Sequence, residues 1–168
     1  MMMIRRLLPV LLLPVILVTA AFQQTAPQPV PVSDETAGER VVQDKLPQSK
    51  SPLWDKLGHC DSHFDAKTAL YTMTLVPEVK ALDGQSVTAN GFVLPLDGSD
   101  KTRHFLLTKR TPVCMFCPPG EPNEVIEVTS KKPVAWTENM VTLSVRFTLV
   151  NNGEKAIFFT LNDAETVK

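Results

Sequence analysis

The sequence predicts a small, mainly β domain. In its second half, apolar residues mostly recur at every second position, which is the spacing of strands with one buried face. These patterned segments are separated by turn sequences, Asp97-Gly98-Ser99-Asp100 and Asn151-Asn152-Gly153. Five main strands with little room for helix fit a small antiparallel barrel, closed or nearly closed, of the oligonucleotide/oligosaccharide-binding (OB) type, and a β-sandwich is the alternative.

Five segments carry the strand pattern: Gln85 to Leu96, Arg103 to Lys109, Glu124 to Thr129, Met140 to Val150 and Ala156 to Leu161. In the first segment, Gly91 occupies a position suited to a bulge that bends the strand. Upstream, Leu70 to Val76 fits a strand or a short helix, and Pro77 to Leu82 fits a turn. Core packing explains the spacing of the aromatic residues, which are Trp54, Phe64, Tyr71, Phe92, Phe105, Trp136, Phe147, Phe158 and Phe159.

The first residues have the pattern of a secretory signal peptide. A basic Arg5-Arg6 pair precedes an apolar run from Leu7 to Phe22. The run is shorter than the roughly 20 residues of a membrane-spanning helix, and small residues favour cleavage after Ala20 or Ala21. We therefore expect residues 1–21 to be removed and the mature chain to be periplasmic, with membrane contact only through the transient signal peptide.

Residues 22–52 are rich in proline and polar residues and contain few large apolar ones. Such a segment buries too little surface to offset its ordering entropy, so we expect an extended, disordered tether, with one helical turn around Glu39 to Gln43. Residues 53–168 then form a single packed domain.

Charge and motifs narrow the function classes. The formal net charge of the chain is −1, and removal of the Arg5-Arg6 pair makes it more negative. No basic stripe is present, so nucleic acid is not an expected partner. The sequence also lacks a nucleophile elbow, a phosphate loop and a zinc-protease helix, so we expect no enzymatic activity.

The loop from Arg110 to Asn123 contains Cys114 and Cys117 in a C-x-x-C spacing. Such a pair can bind one Zn²⁺ or Cu⁺ ion, exchange between dithiol and disulfide, or form a disulfide that only staples the loop. Thioredoxin chemistry needs the first cysteine at a helix N-terminus, whereas Pro118-Pro119-Gly120 stops a helix within a turn. The metal site and the disulfide are therefore the leading interpretations.

Cys60 and His63 have a C-x-x-H spacing. Together with Cys114 and Cys117 they would make a Cys₃His set suited to Zn²⁺ or Cu⁺. In the alternative interpretation, Cys60 has no role in ligation and His63 is an exposed loop histidine. His104 lies on a predicted strand, where a surface or cross-strand contact is expected rather than ligation.

Three motifs occur together: Leu82-Asp83-Gly84-Gln85-Ser86-Val87 followed by Gly91-Phe92-Val93-Leu94-Pro95-Leu96, then His104-Phe105-Leu106-Leu107, then Cys114-x-x-Cys117-Pro118 leading to Pro122-Asn123-Glu124-Val125-Ile126-Glu127-Val128. Their combination, over roughly Pro77 to Leu161, resembles a bacterial family of exported proteins catalogued as a domain of unknown function, family 3299. The resemblance implies periplasmic accessory proteins, some of them encoded beside an ABC-type ATPase and permease in zinc-responsive gene clusters. The cysteine loop of those members often contains Cys-x-His, where this chain has Phe116 and then Cys117.

These features favour a non-enzymatic periplasmic accessory protein that binds or hands over Zn²⁺ or Cu⁺ through Cys114 and Cys117. Its expected partner is an ABC-type transporter or another periplasmic protein. His63, Cys60 and His104 are the candidates for completing the metal site. The other two classes are a structural adaptor with a Cys114–Cys117 disulfide and a thiol-redox protein.

Overall fold

The computed structural model describes residues 34–113 and 119–167. Its helices are α1 (Asp34–Gln43), α2 (Pro52–Leu57) and the single turn α3 (Pro77–Lys80), with a 3₁₀ turn at Pro122–Glu124. Its strands are β1 (Asp61–Asp65), β2 (Leu70–Thr74), β3 (Ser86–Pro95), β4 (Lys101–Thr108), β5 (Val125–Ala135), β6 (Val141–Asn152) and β7 (Ile157–Thr166).

Strands β3 to β7 form a closed barrel in the order β3-β4-β5-β7-β6. This confirms the five-stranded barrel that the period-two pattern predicts, in preference to a sandwich. One part of the prediction is corrected, because β5 and β7 pair in parallel, so the barrel is mixed rather than antiparallel. The chain reverses between β5 and β6 and again between β6 and β7, so β7 runs in the direction of β5 and lies between it and β6.

Barrel closure depends on β3, which changes partners along its length. Its first part pairs with β6 as far as Gly91↔Val141, and its second part pairs with β4 from Phe92↔Thr108 onward. A Cβ atom on Gly91 would collide with the carbonyl oxygen of Thr108. The ladders on both sides of Gly91 keep their register, so this glycine permits a close backbone approach and not the expected bulge.

The core lies inside the barrel and follows the alternation read from the sequence. Phe105 and Leu107 of β4 are fully buried, as are Leu143 and Phe147 of β6. Phe147 and Phe159 contact each other with ring centroids 5.7 Å apart. Burial of apolar area of this kind is the main favourable term for a domain of this size.

The hairpin β1–β2 lies outside the barrel. The sequence predicts a strand or a short helix over Leu70 to Val76, and the structure has the strand β2 there, paired with a strand β1 that the apolar pattern does not reveal. The hairpin carries the Phe64–Tyr71 ring pair, with centroids 4.9 Å apart. It is joined to the β6–β7 turn because the amide of Tyr71 donates to the carbonyl of Gly153 at 3.0 Å.

The N-terminal segment from Asp34 to Pro52 differs from the extended tether predicted for it. It contains α1, and Gln43 and Ser49 are buried, with 2% and 3% of their surface exposed. The Ser49 hydroxyl donates to the carbonyl of Asn90 at 2.7 Å, and so does Nε1 of Trp54, also at 2.7 Å. Composition alone did not predict an ordered structure here, because the segment is held by hydrogen bonds to the barrel backbone rather than by burial of apolar area.

Asn90 connects this segment to the barrel. Its side-chain amide donates to the hydroxyl of Thr142 at 3.0 Å and to the carbonyl of Val141 at 3.2 Å, both at the start of β6. Its main-chain carbonyl meanwhile accepts the bond from Ser49 of this segment and the bond from Trp54 of α2. In the part of the chain that the structure describes, no helix has the length and apolar character needed to cross a bilayer.

The first testable prediction concerns Trp54, which is 1% exposed and bonded to Asn90. Trp54→Ala should lower the free energy of unfolding by about 3–5 kcal/mol, because it leaves a large cavity and removes one of the two hydrogen bonds that the Asn90 carbonyl accepts. Urea denaturation followed by circular dichroism measures the change. The matched control is Trp136→Ala, since Trp136 is 51% exposed and its removal should cost less than about 1 kcal/mol. Equal losses in the two variants would contradict the prediction.

Candidate functional site

The loop between β4 and β5 carries the two cysteines of the C-x-x-C motif. Cys114 and Cys117 lie outside the residues that the structure describes, so their position stays a prediction. Residues 109–113 and 119–124, named here the loop base, are described on both sides of them. The loop base is closed by a backbone bond of 3.0 Å from the amide of Lys109 to the carbonyl of Glu124.

Glu124 is the central group of the loop base, and only 7% of its surface is exposed. Its Oε2 accepts a bond of 2.7 Å from Nε of Arg110 and one of 3.2 Å from the amide of Glu121. Its Oε1 lies 3.6 Å from Nζ of Lys109. A buried carboxylate is costly unless it is paired and hydrogen-bonded, and here both oxygens have partners.

The electrostatic balance at Glu124 favours its charged form. Burial by itself raises the pKa of this carboxyl group, but the bonds from Arg110 and from the Glu121 amide, with the charges of Arg110 and Lys109, lower it below its ordinary value. The same hydrogen bond raises the pKa of Arg110. The loop base therefore contains a fixed ion pair, since each partner holds the other in its charged state.

Helix α1 joins the two arms of the loop base. The side-chain amide of Gln43 donates to the carbonyl of Thr111 at 3.0 Å on one arm and to the carbonyl of Pro119 at 3.2 Å on the other. Gln43 is itself held by a 2.8 Å bond from Arg40, which also pairs with Glu121. One buried side chain thus sets the separation of the arms on either side of residues 114–118.

Cys60 and His63, the upstream candidates, have different environments. Cys60 is a free thiol, 3% exposed and part of the hydrophobic core, whereas His63 is exposed on β1. The main-chain carbonyl of Cys60 accepts a 2.9 Å bond from Asn123, so the Cys60 backbone adjoins the loop base. Within residues 34–113 and 119–167, no three His, Cys, Asp or Glu residues are grouped to hold a metal ion. The proposed Cys₃His set includes Cys114 and Cys117 and so stays a prediction.

The other two histidines lie within hydrogen-bonding distance of glutamates. His104 on β4 lies with its Nε2 2.7 Å from Oε1 of Glu127 on β5, which is the cross-strand contact expected for it. His59 lies with its Nδ1 2.5 Å from Oε1 of Glu78. Both pairs are on the surface, where such contacts contribute little to stability.

Trp136, which the sequence predicts to lie in the core, is on the surface in the structure, with 51% of it exposed. It follows the end of β5, and its amide donates to the carbonyl of Asp100 at 2.8 Å. Two adjoining hollows of about 400 and 350 Å³ share Trp136 and Pro112 in their walls. We name them together the Trp136 cleft. The described residues that line it are Pro47, Phe92, Val93, Leu94, Pro95, Gly98, Ser99, Asp100, Thr111, Pro112, Val113, Trp136, Thr137 and Glu138.

The Trp136 cleft and the loop base are continuous along the chain, because Thr111, Pro112 and Val113 belong to both. The cysteine motif begins at the next residue. A signal for this site was available in the sequence, since Trp136 is followed by Thr137-Glu138-Asn139, a polar turn sequence that places it at a strand end rather than within a strand.

The second prediction concerns the charge on Glu124. Glu124→Gln should lower the free energy of unfolding at pH 7 by about 1–3 kcal/mol, because Arg110 loses its buried carboxylate partner and keeps only the exposed one, Asp44. A carboxyl whose pKa is lowered on folding contributes stability above its ordinary value of 4.5, and that contribution is lost as the pH falls through the folded-state pKa. The gap between wild type and variant should therefore shrink below pH 4.5 in urea titrations. The control is Glu154→Gln at an exposed turn, and a gap that does not vary with pH would contradict the prediction.

Comparison with known proteins gives a family but no curated relative. No curated protein matches the chain. One solved structure that it resembles is a DUF3299 family protein from Pseudomonas aeruginosa PAO1, at 21% identity and a TM-score of 0.47, covering 73% of this chain and 85% of that one. The family model described as a protein of unknown function, DUF3299, matches residues 30–159. The match spans most of the chain, including the barrel and the loop base, and the protein therefore belongs to the DUF3299 family.

Proposed function

We propose that the protein is an exported, non-enzymatic accessory protein that binds Zn²⁺ or Cu⁺ through Cys114 and Cys117 and passes the ion to or from a periplasmic transport system. The signal peptide predicted in residues 1–21 would direct the chain to the periplasm. The observation that carries the proposal is the bridge made by Gln43 between Thr111 and Pro119. A pair of thiolates binds an ion best when the chain on both sides of it is held in place beforehand.

The construction of the loop base supports a binding role over a purely structural one. A network made of the Arg110–Glu124 ion pair and the two bonds from Gln43 joins the ends of the loop, and Gln43 and Glu124 are both buried. The network closes the loop at its base without any covalent link. A Cys114–Cys117 disulfide would close only a short ring inside a loop whose ends are already joined, so a stapling role would add little order there.

The ligand set of the proposed site centres on the two loop thiols. Cys60 is buried in the hydrophobic core, and Nε2 of His104 is occupied by Glu127. His63 is exposed and its side chain is accessible. Zn²⁺ takes four ligands in a structural site, whereas soft thiolates also suit Cu⁺. Zn²⁺ held by Cys114 and Cys117 would therefore complete its coordination with His63, water or a group of the receiving protein, which suits an ion that is handed over.

The third prediction is a count of reactive thiols in protein purified without reductant. The chain has three cysteines, and Cys60 is 3% exposed, so a thiol reagent such as DTNB should modify Cys60 only after unfolding in guanidinium. If the protein carries an ion, chelator should make Cys114 and Cys117 reactive in the native state. If the two form a disulfide, chelator should change nothing and only a reductant should release them, which would favour the adaptor class.

The fourth prediction separates the ligands by mutation. Cys114→Ser and Cys117→Ser should each lower the affinity of the reduced protein for Zn²⁺ or Cu⁺ by more than about 100-fold, because a lost thiolate removes a direct bond and part of the neutralising charge. Competition with a chromophoric chelator measures this affinity.

Cys60→Ser and His104→Ala are the matched controls for that experiment. His104→Ala should leave the affinity within a few-fold of wild type, while a loss in Cys60→Ser as large as in Cys114→Ser would place Cys60 among the ligands. Circular dichroism verifies that each variant is folded. The metal proposal fails if wild type binds neither ion more tightly than the variant lacking both Cys114 and Cys117.

A further inference from the structure

The Trp136 cleft exposes apolar surface that the described part of the chain does not cover. Trp136 is 51% exposed and Val113 39%. Isolated exposed apolar residues are common, but Trp136 and Val113 both line one concave surface with Leu94, Pro95 and Pro112. Tryptophan is enriched among the residues that contribute most to binding at protein interfaces. This surface therefore has the composition of a docking site.

The shape of the cleft favours an extended chain. Its two hollows, of about 400 and 350 Å³, lie side by side and share Trp136 and Pro112. Each hollow has room for one or two apolar side chains, and together they offer consecutive pockets to a single strand-like segment.

The charged residues that line the described part of the cleft are all acidic. Among the described residues that line it, Asp100 and Glu138 are acidic and none is Lys or Arg. Asp97 stands at the turn beside Gly98 and Ser99 and is also acidic; hydrogen bonds from Ser99 hold its pKa below the usual range, so it is ionised at neutral pH. An apolar groove with acidic groups at its rim is complementary to a segment in which a basic residue flanks apolar ones.

We propose that the Trp136 cleft binds an extended segment of a partner protein, in which apolar side chains fill the two hollows and an adjacent Lys or Arg pairs with Asp100 or Glu138. The inference does not depend on metal binding by the cysteine loop. It goes beyond the proposed function by assigning the partner a stated chemistry and a place on the surface next to that loop.

The fluorescence of Trp136 can be used to measure binding in the cleft. The chain has two tryptophans, and since Trp54 is 1% exposed while Trp136 is 51% exposed, a ligand in the cleft alters the emission and acrylamide quenching of Trp136 alone. The probe is a library of random peptides displayed on phage and selected on the purified protein. Selected peptides are then synthesised and titrated by fluorescence and calorimetry.

The expected result is enrichment of sequences with Lys or Arg beside apolar residues or proline. Trp136→Ala should weaken binding of a selected peptide by at least about 10-fold, and the Asp100→Asn, Glu138→Gln double variant should weaken it several-fold and reduce its salt dependence. Leu70→Ala is the matched control, since Leu70 is an exposed apolar residue on β2, outside the cleft. It should bind as wild type does.

Three outcomes would overturn the proposal. The first is a selection that yields no basic-apolar consensus, or peptides whose affinity Trp136→Ala leaves unchanged. The second is a gain of 10-fold or more in peptide affinity on deletion of residues 22–33, which would make the protein's own segment the occupant. The third is a concentration-dependent dimer, seen by sedimentation and abolished by Trp136→Ala, which would make the occupant a second copy. Metal binding by the same variants is measured separately, so the two proposals fail independently.

Discussion

The architecture depends on the change of partner along β3. This strand pairs with β6 up to Gly91 and with β4 from Phe92 onward. The barrel can close only if the backbone at that point approaches the end of β4 more closely than a side chain allows, and Gly91 removes the obstacle. Closure leaves no free edge among the five barrel strands, and it brings the end of β4, where the cysteine loop begins, against the middle of β3.

The N-terminal segment follows from the same constraint. Asn90 immediately precedes Gly91, and its carbonyl accepts bonds from Ser49 and from Trp54. The segment then continues along the extension of β4, where the amide of Ser49 donates to the carbonyl of Lys109 at 2.8 Å. The position of α1 against the loop base is a consequence of these bonds. A sequence that looks like a linker by composition thus becomes part of the frame around the cysteine loop.

The barrel was predictable because local sequence carries its information. Alternating apolar residues in β4 and β6, and the turn at Asn151-Asn152-Gly153, report burial and chain reversal within a few residues. The strand β1 was not predictable in this way, because Asp61–Asp65 has no apolar alternation and is exposed or half-buried throughout. The parallel pairing of β5 with β7 is likewise a property of topology, which residue spacing within a strand does not encode.

The site was predictable only in part, for a similar reason. The C-x-x-C spacing identifies the cysteine loop directly. Gln43 and Glu124 could not be identified in the same way, because Gln43 bonds to a residue distant in sequence and Glu124 is a buried carboxylate, and neither residue type predicts such a role. The prediction that Trp136 is buried was wrong. The apolar pattern ends at Thr129, but β5 continues to Ala135, so Trp136 lies just past the end of a strand that the pattern does not show in full. Lys131-Lys132-Pro133 interrupts that pattern on the outer surface while Val134 stays buried.

The loop base and the Trp136 cleft place two requirements on the same few residues. The carbonyl of Thr111 accepts a hydrogen bond from Gln43, and Thr111 also lines the cleft. Pro112 lies in the wall that both hollows share. Proline has no amide hydrogen to satisfy and a fixed φ, so it suits a position that must be rigid and half exposed at once. A displacement of this arm by a bound segment would therefore be transmitted to Gln43 and to the ion pair of Arg110 with Glu124, because Arg110 lies on this arm and Gln43 donates to the carbonyl of Thr111 on it. The two proposed activities, docking in the cleft and ligation at the cysteine motif, would then be coupled through residues 110–113 rather than through the barrel core.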